Sequence, residues 1–429
     1  MIDAFNAGSG ALRWVTDGAV VTDCGATWPG TRAADAPLAD DLYGGTAGVL
    51  VALSEARLSG IGDFDDHARA AATRLRSLAS VGAWAMANAA PDDWDDEPDS
   101  PDLGLYTGLS GGAAALHIWA SVSGDRDAAE AALTATRSIT DLTAAGRPVS
   151  SWRDVTSGEA GILLTLIDIG DAAVRPAISA IGDRLVAQAQ WADDQPDWYP
   201  RANRQVFMPN FSHGAAGIGY ALAAAGAAVD RSDLVDVAEA AGRYLVRLGS
   251  RSDGTLAVPP VVPPAEPAAP LSYGWCHGPT GTLRLFQQLE RLRPGRGWAG
   301  HAEAARQAVR RSGLPQRLFP GFWDNLGQCC GTAGVGEMAL DRYQQTGDIE
   351  WLEWAADLAS DVLDRRIDDG AGIRWSNTEY RRDPPELEPD LGLMQGAAGI
   401  ASWLLRLARV QREGVTAQRI RWPDRPPID

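Results

Sequence analysis

Gly45-Thr46-Ala47-Gly48 runs straight into Val49-Leu50-Val51-Ala52-Leu53, a glycine-bracketed turn opening an uncharged apolar stretch. One such turn means little. It recurs as Gly108-Leu109-Ser110-Gly111, Gly158-Glu159-Ala160-Gly161, Gly214-Ala215-Ala216-Gly217, Gly278-Pro279-Thr280-Gly281, Gly331-Thr332-Ala333-Gly334 and Gly396-Ala397-Ala398-Gly399. Successive first glycines are separated by 63, 50, 56, 64, 53 and 65 residues, a near-regular period that marks a repeat architecture.

The run after each turn is rich in Ala, Leu and Ile and nearly free of charge, so a helix built from it is buried on most sides. Between these runs lie stretches such as Asp65-Asp66-His67-Ala68-Arg69-Ala70-Ala71-Ala72-Thr73-Arg74-Leu75, alternating charge and apolar residues at helical period. Those read as outer helices with one wet face. The terminal repeats are no more polar than the middle ones, which favours a closed ring over an open stack. The expected fold is all-α: an α/α toroid, a double barrel of seven inner and seven outer helices. The repeats cover about residues 40–407, within a single domain spanning 1–429. Glycine at the turns permits a left-handed backbone or close packing where a loop enters a helix.

Two segments interrupt the period. Asp92-Asp93-Trp94-Asp95-Asp96-Glu97, followed by Pro98 and Pro101, reads as a solvated acidic loop or a contact for a basic peptide. The stretch from Pro259 to Pro267 is proline-rich and reads as extended. Turns continue at the same spacing on either side, so it marks no domain boundary.

Hydrophobic content of 45% with 22% charged residues provides an ample globular core. A net charge of −18 disfavours a nucleic-acid partner, which needs a basic face. No basic and apolar leader is visible at the start, and no run reaches the roughly 18 apolar residues of a membrane span. These features point to the cytoplasm, where thiols stay reduced.

Three of the four cysteines stand beside these turns, in Gly274-Trp275-Cys276-His277-Gly278 and Gln328-Cys329-Cys330-Gly331. If the equivalent turns gather at one mouth of a ring, Asp154, His213, Cys276, His277, Cys329 and Cys330 come within reach of one another. Three thiolates suit Zn²⁺ with one position left for a substrate. A Cys₂His set using His277, a structural Cys₃His zinc and inert buried thiols are the alternatives. A three-thiolate shell leaves zinc a weak Lewis acid and keeps a bound sulfur nucleophilic, which suits sulfur attack better than water activation. Cys24, with no cysteine or histidine near it, reads as a bystander.

His213 is the natural proton carrier, or else a histidine satisfied within its turn. Asp154 either orients a catalytic group or steadies the turn before its helix. His117, on an apolar inner helix, reads as a satisfied core histidine; His67 and His301 read as surface residues. The sixteen tryptophans are explained as readily by ring filling as by a binding surface.

With seven glycine turns carrying Ser212-His213-Gly214, Trp275-Cys276-His277-Gly278 and Cys329-Cys330-Gly331 in this order, the chain closely resembles the lanthionine synthetase C-like cyclases from about Asp40 to Leu407. The resemblance implies an α/α toroid with zinc at one mouth. It also implies addition of a precursor peptide's cysteine thiol to dehydroalanine or dehydrobutyrine, forming thioether rings. The implied metal ligands are Cys276, Cys329 and Cys330, with Cys330 in place of the family's more common histidine. His213 matches the family's acid/base histidine and Asp154 its aspartate. His277 stands where some members have tyrosine and is implied to help protonate the enolate. Ser272 stands where some members carry an arginine, so that arginine's role has no counterpart here. Nothing resembles a kinase, lyase or dehydratase module, so the implied partners are a dehydrated precursor peptide, leader plus core, and a separate dehydrating enzyme. The rival readings are an enzyme adding glutathione or another small thiol to dehydroamino acids, and a non-catalytic zinc-bearing scaffold for a leader peptide. Toroidal glycosidases and terpene cyclases stand further off, since paired carboxylates would not need this cysteine set.

Overall fold

The computed structural model describes residues 3–33, 36–88, 102–263, 271–316, 325–378 and 383–427. The acidic stretch Asp92–Glu97, with Pro98 and Pro101, lies outside the described residues, as do residues 264–267 of the proline-rich segment.

Fifteen α-helices are present among the described residues, and outer and inner helices alternate along the chain. The order begins with α1 (Ala4–Thr16, outer), α2 (Thr46–Leu58, inner), α3 (Asp65–Ser77, outer), a short extra α4 (Val81–Ala87), α5 (Leu109–Ser123, inner) and α6 (Arg126–Ala144, outer). It continues with α7 (Glu159–Ile169, inner), α8 (Arg175–Ala187, outer), α9 (Ala215–Val229, inner) and α10 (Ser232–Gly249, outer). Last come α11 (Pro279–Leu292, inner), α12 (Trp298–Arg310, outer), α13 (Thr332–Thr346, inner), α14 (Ile349–Asp364, outer) and α15 (Ala397–Glu413, inner).

The inner helices pack in the order α2, α5, α7, α9, α11, α13, α15 and back to α2. That closes an α/α toroid, as the sequence predicts. Burial follows the expected division: ten of the first eleven residues are apolar or small in α2, and Thr46 through Ala56 are all buried. Outer α3 buries only Ala68, Ala71, Ala72 and Leu75, a single helical stripe.

Each outer helix from α3 onward follows its inner partner in sequence. The exception is α1, which precedes every glycine turn yet packs on α15. The first helix of the chain thereby completes the last hairpin. Among the described residues three small antiparallel sheets decorate the loops: β1 (Val20–Thr22), β2 (Gly25–Pro29) and β3 (Leu38–Ala39); β4 (Gln190–Ala192) with β5 (Gln195–Asp197); and β6 (Ile367–Asp368) with β7 (Ile373–Arg374).

The glycine turns now have a physical cause. In every copy the first glycine is the N-cap of an inner helix in extended conformation, with no side-chain cap. The second packs on the carbonyl six residues back. A Cβ at Gly48 would stand 2.5 Å from the Leu42 oxygen, and one at Gly399 only 1.7 Å from that of Leu393. None of these fourteen glycines has positive φ. Of the two uses that glycine permits, close approach is the one adopted.

Candidate active site

The seven turns are tied edge to edge by the backbone, two or three residues before each N-cap glycine. Tyr43 N–H donates to Tyr106 O (2.9 Å), Tyr106 to Thr156 O (2.8 Å), and Val155 to Ser212 O (3.2 Å). Ser212 then donates to Cys276 O (3.1 Å), Cys276 to Cys329 O (3.2 Å), Cys329 to Met394 O (2.8 Å), and Met394 back to Tyr43 O (2.9 Å). This belt closes on itself. It sets all seven inner-helix N-termini at one mouth and brings residues as far apart as Tyr43 and Met394 into contact.

Because the belt fixes the register, residues one or two places before several of the N-cap glycines meet at this mouth. There Cys276 Sγ lies 3.1 Å from Cys330 Sγ, and Cys330 Sγ lies 3.4 Å from Cys329 Sγ. All three sulfurs lie within 4.8 Å of one another, and all are free thiols. Among the described residues no other group of His, Cys, Asp or Glu side chains converges this way, and His277 is not in the set. The set that converges is the three-thiol one. Cys276 and Cys329 are buried and Cys330 half-buried, so the cluster opens on one side. Thiol hydrogen bonds from Cys276 and Cys329 hold Cys330 well below the usual thiol range, while the same sharing pushes Cys276 well above it. Three soft donors with one unblocked side fit a Zn²⁺ ion.

In the turn tied to that of Cys276, His213 Nδ1 lies 2.7 Å from Asp154 Oδ2. Asp154 is fully buried, and its Oδ1 accepts the Ser157 N–H at 2.8 Å. The carboxylate thus both steadies its turn and orients the imidazole. With Nδ1–H donating to it, Nε2 is left as the acceptor nitrogen of the ring. The ring of His277 sits 5.6 Å from that of His213. Burial, with a smaller effect of the neighbouring His213, pushes His277 down to about 4, and its buried Nδ1 has no partner.

Two residues in the same register escape motif reasoning. The Tyr43 hydroxyl, bonded to Cys329, accepts a hydrogen bond from Gln395 Nε2 at 2.7 Å. The same Gln395 nitrogen lies 3.7 Å from Cys330 Sγ. Burial, then the two neighbouring thiols, drive Tyr43 well above the usual phenol range, which keeps it a donor. Their signal was positional: each stands one or two residues before an N-cap glycine, as the cysteines do.

The remaining histidines depart from expectation. His117 is half-buried near Asp168 rather than enclosed in the core. His301 is half-buried, with ring centroids 5.9 Å from Phe286 and 5.7 Å from Trp298, so it is no free surface residue. His67 is likewise half-buried, with an unpartnered Nδ1. Cys24 is exposed and stands outside the thiol cluster.

The family model for lanthionine synthetase C-like proteins matches residues 36–416. Among solved structures, nisin cyclase aligns over 94% of this chain and 93% of its own, at 14% identity and a TM-score of 0.60, and shares the fold. An unsaturated glucuronyl hydrolase from Bacillus sp. GL1 covers 71% of this chain and 86% of its own (15% identity, TM-score 0.46). A cellobiose 2-epimerase from Bacillus thermoamylovorans B4167 covers 94% and 99% (12% identity, TM-score 0.43). The latter two likenesses are too slight to carry an argument. No curated protein matches the chain.

Proposed function

Because the chain belongs to the lanthionine synthetase C-like family, we propose that it is a zinc-dependent peptide cyclase, adding cysteine thiols to dehydroalanine or dehydrobutyrine to form thioether rings. The observation that carries this reading is the convergence of three free thiols with the Asp154–His213 pair at one mouth of the ring. In this reading the whole chain acts as one ring-forming domain.

Cys276, Cys329 and Cys330 would hold the zinc, which, when bound, keeps ligating and incoming thiols deprotonated near neutral pH without blunting the sulfur nucleophile. The remaining work falls to the protein. His213 Nε2 takes the proton from the substrate thiol, and Asp154 stabilises the imidazolium so formed. The new C–S bond places negative charge on the substrate's enolate. The same imidazolium returns its proton to Cα, so the proton count balances and His213 ends neutral. His277, beside it, offers a second polar ring against the substrate. Tyr43 and Gln395 donate toward the thiolates and hold their geometry.

The substrate is then a dehydrated precursor peptide, leader plus core, made by a separate dehydrating enzyme. Among the described residues no helix is long and apolar enough to cross a membrane.

The test incubates zinc-loaded protein with dehydrated, cysteine-containing peptides and counts free thiols by alkylation and mass. Loss of alkylable thiol at constant peptide mass supports ring closure. Thiol counts equal to those without protein, across the peptides tried, sink the cyclase reading.

A further inference from the structure

We propose that the C-terminal tail, residues 417–427, forms the floor beneath the thiol mouth, and that Asp424 positions Trp275 and through it Cys276. The inference rests on the metal reading of the cysteines given above.

Asp424 lies beyond the last helix, yet it is only 1% exposed. A carboxylate at that depth needs donors. Its Oδ2 accepts the Tyr106 hydroxyl at 2.8 Å and the Trp275 indole N–H at 3.0 Å, and pairs with Arg284 at 2.8 Å. Three donors converge on one oxygen. Two of them come from mouth turns: Tyr106 is a belt residue, and Trp275 is bonded to Cys276 through the peptide link.

The rest of the tail is anchored to the inner ring. Arg425 pairs with Glu337 at 2.9 Å and Arg419 with Asp341 at 3.1 Å, both on α13, while Arg284 belongs to α11. The tail therefore bridges the neighbouring inner helices α11 and α13. A tail needed only to tie α11 to α13 would require no bond to the indole.

Trp275 is buried and packs on two aromatic rings. Its ring lies 4.9 Å from Tyr106 and 5.8 Å from Phe211, centroid to centroid, and a Cβ on Gly281 would come 2.0 Å from its carbonyl. The belt fixes Cys276 through its own N–H and carbonyl. The Asp424 bond is the polar restraint on the indole, and with the belt it sets the tilt of the Trp275–Cys276 peptide. Asp424 touches no sulfur, so it is a positioning residue.

The test compares, in the 429-residue chain, Asp424→Asn, Asp424→Ala, Trp275→Phe and the Asp424→Ala/Trp275→Phe pair. Three quantities are read: Co²⁺ affinity by chelator competition, the thiolate-to-cobalt absorption band, and the iodoacetamide rate at Cys276 in metal-free protein. Melting curves control for folding. Asp424→Ala is expected to weaken Co²⁺ binding by about 10- to 100-fold, shift the band and speed alkylation. Asp424→Asn, which keeps an acceptor, should recover part of each. Trp275→Phe should reproduce the effect, and the double variant should be no worse than either single. Wild-type values in Asp424→Ala, or fully additive losses in the pair, overturn the proposal. If Asp424→Ala does not fold, unchanged values in both Asp424→Asn and Trp275→Phe overturn it equally. Absence of any thiolate–cobalt band in the wild type defeats the metal reading instead, and the metal-free alkylation rates still decide the positioning.

Discussion

Asp154 divides its two oxygens between two tasks: Oδ1 accepts the Ser157 N–H at 2.8 Å, and Oδ2 meets His213 Nδ1 at 2.7 Å. The first bond fixes which oxygen faces the histidine. An asparagine here must keep its carbonyl toward Ser157, so its NH₂ would point at Nδ1. That favours the tautomer with Nε2 protonated and removes the base. Asp154→Asn should therefore cut the rate of ring formation by about 10²- to 10⁴-fold with zinc content unchanged. A rate within a few-fold of wild type, followed by thiol consumption, would remove Asp154 from the mechanism.

The ligand assignment makes a separate demand. Wild-type protein should carry about one zinc per chain, measured by metal analysis after gel filtration. Cys276→Ala and Cys330→Ala should lose it, because two sulfurs remain where three converged. Cys24→Ala, altering an exposed thiol on the β1–β2 hairpin, should retain it. Full metal in either of the first two variants contradicts the assignment.

The turns can be tested without any chemistry. A Cβ at Gly399 would stand 1.7 Å from the Leu393 oxygen and 2.9 Å from Gln328 Cγ. Backbone cannot yield that much locally, so Gly399→Ala should destabilise the protein by about 3 kcal/mol or more. At Gly300, in outer α12, a Cβ meets nothing within 4 Å. Gly300→Ala should be neutral or stabilising by up to about 1 kcal/mol. Equal melting temperatures for the two variants would refute close approach as the reason for the glycines.

Burial pushes Asp197 up to about 6, although the Tyr244 hydroxyl and the Trp198 N–H both bond its ionised form. The folded chain thus holds this proton more tightly than the unfolded chain does. As pH falls from 7 through 6 toward 4, the folded state gains stability from Asp197, on the order of 2 kcal/mol. Below about 4 both states are protonated and the gain is complete. Asp197→Asn should flatten this part of the stability profile, as read by denaturant titration between pH 4 and 7. An unchanged slope would show that Asp197 is not the group responsible.

Much of this architecture was legible in the chain. The second glycine of each turn packs on a carbonyl six residues back, a local constraint that must be repeated wherever the turn is used. Seven turns therefore appear as seven motifs, and the apolar runs behind them mark the inner helices because those helices have no wet face. Cys276, Cys329, Cys330, His213, His277 and Asp154 could be gathered on paper because each holds a set place relative to such a turn.

What the sequence could not show depends on ring closure. Helix α1 carries no glycine turn, and only the closed ring makes it the outer partner of α15. Tyr43 meets Gln395, and Asp424 meets Tyr106 and Trp275, across separations that no local period encodes. Local sterics wrote the repeat into the sequence; the hydrogen-bonded belt, which only ring closure completes, decided which residues stand beside the thiols.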